Sequence, residues 1–103
     1  MQNTPHADLT RTRDRIQGGL TTASDVMRSC VDIAQSPRCD KAFLRTMFDE
    51  ALACASDPQQ HPRPLAGLAV SVKDLFDVAG QVTGAGSKTR NADAPAVHDC
   101  PAV

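Results

Sequence analysis

Lys73 is the residue whose position most invites a chemical role. It closes the apolar run Leu65-Ala-Gly-Leu-Ala-Val-Ser-Val-Lys73 and is followed directly by Asp74. Leu68, Val70 and Val72 alternate, as a strand with one buried face requires. Ala69, Ser71 and Lys73 fall on the opposite face, where the small Ala69 and Ser71 allow close approach. Two readings of Lys73 follow. As an edge-strand lysine it points into water and discourages pairing with another sheet. Carried instead to the carboxyl end of a strand, it reaches the place where ligands collect in open α/β sheets. Burial there penalises the charged form, so the amine sheds its proton more readily and serves as a general base near neutral pH. Spacing alone does not decide between the two.

The other chemistry-bearing residues form no comparable pattern. Gly80-Gln-Val-Thr-Gly-Ala-Gly-Ser-Lys-Thr89 invites a phosphate-loop reading. That loop needs glycine directly before its lysine so that backbone N–H groups can wrap the phosphates. Ser87 stands there, and Val82 replaces the earlier glycine. A dinucleotide fingerprint fails as well, since Thr89 occupies the place of its third glycine. No serine sits in a G-x-S-x-G elbow. His6, His61 and His98 stand isolated in polar sequence and read as solvated loop histidines. Cys30, Cys39, Cys54 and Cys100 form no C-x-x-C pair, and no histidine pair completes a zinc pattern. They read as reduced thiols buried as small hydrophobes, and no metal is expected.

The elements that would position Lys73 are mostly helical before it. Residues 1–7 are polar, contain Pro5 and read as a loose start. Asp8–Gln17, with Leu9, Thr12 and Ile16 on one side, predicts a short helix ending at Gly18-Gly19. Thr22-Ala-Ser-Asp25 reads as a capping box. Behind it, Val26, Cys30, Ile33 and Ala34 predict the apolar face of a second helix that stops before Pro37. Ala42–Met47 reads as a short strand, and Asp49 as the cap of a third helix over Glu50–Ser56. Asp57–Pro64 is a breaker-rich linker. Gly80 and the Gly84-Ala-Gly86-Ser87 stretch read as turns, and the polar tail from Lys88 reads as cut rather than finished.

Composition limits what such a chain can be. Hydrophobic residues make up 41% of its 103 residues, against the usual globular share of about 45–50%. There is no Trp or Tyr, and only Phe43, Phe48 and Phe76 supply large rings. Few aromatic anchors mean a thin core, so an incomplete folding unit is expected. The net charge of −1 creates no strong field. Arg11, Arg13 and Arg15 are interrupted by Asp14 and lack aromatic neighbours for base stacking, so no nucleic-acid partner is expected. The first twenty residues hold no apolar run of the signal-peptide kind. No stretch approaches the about 20 apolar residues of a membrane span. A cytoplasmic location without a membrane partner is expected.

The run PLAGLAVSVKDLFDVAGQVTGAGS, Pro64 to Ser87, resembles the conserved N-terminal block of the amidase-signature family. It has the family's proline-leucine, a glycine, an apolar strand and Val-Lys-Asp, then Asp-Val-x-Gly and Gly-Ser at the family spacing. GGLTTASDVMRSCVDIA is similar to the family's early helix, and KAFLRTMFDEALACA to the short strand and helix before the linker. The resemblance covers residues 8–103.

It implies an α/β fold: N-terminal helices plus the first strands of a mixed central sheet, here incomplete. Residues 1–103 would form a partial domain, with a helical part at 8–60 and the conserved strand-and-loop block at 64–87. It also implies amide hydrolysis through a Ser–Ser–Lys triad whose lysine is Lys73. That lysine takes a proton from a bridging serine held by a cis peptide bond, which activates the nucleophilic serine. Backbone N–H groups stabilise the oxyanion. No metal or organic cofactor is needed, and the partner is a small-molecule amide. Both serines belong to a later Gly/Ser-rich segment that this sequence does not contain. Ser71 and Ser87 do not match their positions, so the chain alone is expected to be inactive. Leu75-Phe76-Asp77 looks more like the general amidases than the A subunits of tRNA-dependent amidotransferases. The A subunit is the alternative reading, and a non-catalytic remnant or interaction module is a third.

Overall fold

Short-range signals place the first helix. The computed structural model describes residues 8–103, with Asn91 by its backbone alone. The loose start expected for residues 1–7, and His6 with it, lie outside the described residues. Helix α1 spans Leu9–Gln17. Asp8 caps it, its Oδ1 accepting the Arg11 N–H at 2.8 Å. At the other end the chain turns left-handed at Gly19 (φ 79°). The Leu20 N–H reaches the Arg15 carbonyl at 2.9 Å and the Gly19 N–H reaches Ile16 at 3.1 Å, so two carbonyls of the last turn are satisfied. Of the expected apolar side, Ile16 is buried, Thr12 half-buried and Leu9 exposed.

Helices α2 (Ala23–Ala34) and α3 (Phe48–Ala55) form the core pair. Thr22 caps α2 as expected, its side chain accepting the Asp25 N–H at 3.1 Å. The buried stripe, however, differs from the expected one. Met27 and Val31 are buried with Ala55, and Ala23, Phe48, Ala51 and Leu52 pack against them. Ile33 stays 45% exposed and Cys30 is exposed. The physical reason lies in the breadth of the apolar arc: Val26, Met27, Cys30, Val31 and Ile33 offer two stripes one residue apart. Only the position of α3 selects the stripe led by Met27. None of the four cysteines is buried, against expectation, because the Met27–Val31 and Ala51–Ala55 stripes occupy the helix interface and leave Cys30 and Cys54 outside it. Helix α3 also begins earlier than expected, with Met47 at the cap position and Asp49 inside the first turn. Phe48 packs on the core, and Asp49 and Glu50 suit the positive end of the helix dipole.

Two 3₁₀ turns, Pro37–Cys39 and Pro58–Gln60, connect these elements. The linker then returns over the helices. Gln17 Nε2 donates to the His61 carbonyl at 3.2 Å, and the Ser24 and Ser56 hydroxyls lie 3.0 Å apart. The linker ends in a turn of type I′ form. Ala66 (φ 51°) and Gly67 (φ 82°) sit between Leu65 and Leu68, whose backbones bond at 2.9 Å. Ala66 is fully buried. A Cβ on Gly67 would stand 3.1 Å from the Ala23 Cβ, tighter than ordinary contact, in a backbone conformation that L residues avoid. Gly67→Ala is therefore expected to lower stability by about 1–2 kcal/mol, read as a reduced urea midpoint by circular dichroism. An unchanged midpoint would contradict this packing.

By its internal contacts the chain divides into two units, one ending at Ala69 and the other Val70–Val103. The division falls inside the 64–87 block. The second unit holds one 3₁₀ turn, Lys88–Ala92. Among its described side chains none is buried. Backbone bonds hold it instead. The Gly80 N–H donates to Ala96 (2.8 Å), Ala96 donates to Gln81 (2.9 Å) and Cys100 donates to Asp77 (2.9 Å), so residues 96–100 lie along 77–81.

No described residue forms a strand. The strands expected at 42–47 and 68–72 are segments without ladder partners. A strand exists only through its neighbour, and alternation of apolar residues does not supply one. Val70 is 68% exposed and Val72 43%, so the face expected to be covered is open. Among the described residues the expected α/β architecture is represented by helices and turns alone.

Candidate active site

The site is built around the turn that begins at Lys73. The Phe76 N–H donates to the Lys73 carbonyl at 3.1 Å and closes that turn. Asp74 receives the loop that follows: its carbonyl accepts the Ala85 N–H at 2.9 Å, and its Oδ1 accepts the Gly84 N–H at 3.0 Å. Asp77 Oδ1 accepts the Thr83 hydroxyl at 2.6 Å. Asp99 Oδ1 accepts the Ala79 N–H at 2.8 Å. A second turn of type I′ form follows, with Ala85 (φ 50°) and Gly86 (φ 74°) between Gly84 and Ser87, which bond at 2.9 Å.

Lys73 itself is exposed. Among the described residues no water-poor cleft of the expected kind forms around its amine. Among the described residues no ion pair includes it; those present join Arg13 to Asp14, Arg28 to Asp25 and Arg90 to Asp93. Two shallow hollows lie on the first unit, one along Asp8–Leu20 and one between Ile16, Thr22, Ala55 and His61, and neither includes Lys73. Ser87 turns its hydroxyl to Thr89 at 2.7 Å. His61 and His98 are exposed, and the His61 ring Nε2 lies 3.3 Å from the Ile16 carbonyl. Among the described residues no three His, Cys, Asp or Glu side chains gather as metal ligands.

Sequence reasoning missed the carboxylates. Asp74 and Asp77 lie within the motif around Lys73, yet their bonds to Gly84 and Thr83 went unforeseen. No local signal marks them, since these bonds span ten and six positions, beyond the two-residue reach of an Asx turn.

Residues 25–103, spanning this site, helix α3 and all but the first two residues of α2, match the profile of the family described as Amidase. The chain belongs to the amidase-signature family. Its curated relatives include the A subunit of the glutamyl-tRNA(Gln) amidotransferase from Oleidesulfovibrio alaskensis. That protein is 35% identical over 88 residues, which cover 78% of this chain and 18% of the relative. The same-named proteins from Azorhizobium caulinodans and Roseobacter denitrificans are each 33% identical over 85 residues, covering 78% of this chain and 17% of theirs. This amidase-family chain thus spans less than a fifth of the relatives it matches. A solved structure described as "An unexpected vestigial protein complex reveals the evolutionary origins of an s-triazine catabolic enzyme" superposes with a TM-score of 0.76 at 31% identity. It covers 90% of this chain and 22% of its own. Among the described residues, no helix of this amidase-family chain is long and apolar enough to cross a membrane.

Proposed function

We propose that the chain is the lysine-bearing N-terminal part of an amide-cleaving α/β domain, in which Lys73 is the base of a Ser–Ser–Lys triad. The family match that runs through the Val-Lys-Asp motif carries this reading. Lys73 would draw a proton from a bridging serine, and that serine from the nucleophile, a relay in which a desolvated amine is the terminal acceptor. Lys73 is exposed among the described residues, so in this reading other parts of the domain would supply the cover that dries the amine, as they would the two serines. The chain's own contribution is to present the amine on a shaped turn. No step requires a metal or organic cofactor, and the substrate is a small-molecule amide.

A second reading, the A subunit of a tRNA-dependent amidotransferase, is favoured by the names of the curated relatives. Leu75-Phe76-Asp77 favours the general amidases. One graft tests the chemistry that both readings share. Residues 8–103 replace the matching segment of the Oleidesulfovibrio alaskensis protein, and both ammonia release from amides and amidation of glutamyl-tRNA(Gln) are measured. The graft is expected to release ammonia, whereas the purified 103-residue chain releases none. Amidation of the tRNA by the graft shows that residues 8–103 can serve in such a subunit, which the second reading requires. A graft that folds yet releases no ammonia, or turnover by the chain alone, would overturn the proposal.

A further inference from the structure

Residue 74 is gripped by two consecutive amides. Its carbonyl accepts from Ala85 at 2.9 Å and its carboxylate from Gly84 at 3.0 Å. The fit at Gly84 is close, because a Cβ there would lie 2.8 Å from Asp74 Oδ2 and the carboxylate would have to shift. Three residues on, the Thr83 hydroxyl reaches Asp77 at 2.6 Å. The Lys73–Phe76 turn is thus held from residues 83–85 near both its ends. Nothing else in Val70–Val103 does this by packing, since none of its described side chains is buried. Where no core fixes a loop, its hydrogen bonds must, and each is worth about 0.5–1.5 kcal/mol or more when one partner is charged.

We infer that Asp74 is the positioning residue of Lys73: it fixes the backbone from which the amine projects by clamping the Thr83–Ala85 segment. The inference rests on the reading of Lys73 as the amide-cleaving base and assigns Asp74 a part in that site. Asp74 acts through its shape. Its carboxylate is taken up by the Gly84 amide, and among the described residues it makes no ion pair with Lys73. Asparagine keeps an oxygen at the Oδ1 position and can accept the same N–H. Alanine cannot.

The test uses the full chain and nitrogen-15 relaxation. In the wild type, the Lys73 and Gly84 amides should have order parameters near those of rigid backbone, about 0.85. Asp74→Ala is expected to drop both below about 0.6 and to speed hydrogen exchange at Gly84 roughly fivefold to tenfold. Asp74→Asn should restore wild-type order, and Gly84→Ala should loosen Lys73 from the opposite side of the same contact. Amides of α2 and α3 should not move in any variant, which separates loss of the clamp from loss of the fold. The inference is overturned if Lys73 is already mobile in the wild type, if Asp74→Ala leaves it rigid, or if asparagine fails where aspartate succeeds. None of these readings involves turnover. A failed clamp therefore leaves the graft experiment standing. A graft that hydrolyses amides without Lys73 removes Lys73 from the mechanism while the clamp persists.

Discussion

Lys73→Ala in the graft is expected to cut amide hydrolysis by at least about a hundredfold and as much as about 10⁴-fold, the range for a positioned general base. Without the amine, the proton of the bridging serine has no acceptor, and the nucleophile is left as a neutral hydroxyl. Lys73 is exposed in this chain, so truncation removes no packing here. Surface changes of that kind stay within about 0.5 kcal/mol, so the variant should fold in the chain alone, and circular dichroism checks its folding in the graft, where the amine is to be covered. Lys73→Arg is the informative companion. It keeps the positive charge, but a guanidinium does not give up its proton in proteins. It should be as inactive as alanine if Lys73 is a base, and active if only a cation is needed. Wild-type turnover in the alanine variant would remove Lys73 from the mechanism.

The second large effect concerns Met27. It is 7% exposed and packs with Val31 and Ala55 at the centre of the α2–α3 contact. Met27→Ala should cost about 2–5 kcal/mol. Few other large side chains are buried, and whole domains hold only about 5–15 kcal/mol of net stability. The helix pair is therefore expected to lose its urea transition altogether, seen as helical circular dichroism decaying without a plateau. Ile33→Ala, on the rejected stripe, should shift the midpoint slightly. Equal effects at the two positions would mean that the core stripe is misassigned.

The contrast between these two stripes also marks how far the sequence could be read. Gly19 and Thr22 announce helix boundaries because a cap is a bond across a few residues, and the structure has both in place. The choice of Met27 over Val26 as the buried position is made by α3, whose placement leaves no trace in the periodicity of α2. Strand pairing is less visible still. The alternation of Leu68, Val70 and Val72 states a capacity, and no described partner realises it. Lys73 stood out through the residues around it, while the Asp74–Gly84 bond, spanning ten positions, follows no repeating pattern. The family match likewise rests on the sequence of residues 25–103 and not on any strand or cleft that the described residues display.

The carboxylates of Asp74, Asp77 and Asp99 each accept from a backbone amide or a hydroxyl. Those of Asp14, Asp25 and Asp93 face arginines across exposed surface. Dissolved salt treats the two sets differently. Ions at molar strength shrink the Debye length to about 3 Å and weaken the exposed pairs. A short contact to a fixed dipole has little room for an intervening ion. The loop behind Lys73 should therefore keep its shape in brine as in dilute buffer, and the charge there serves as a mould more than as a magnet.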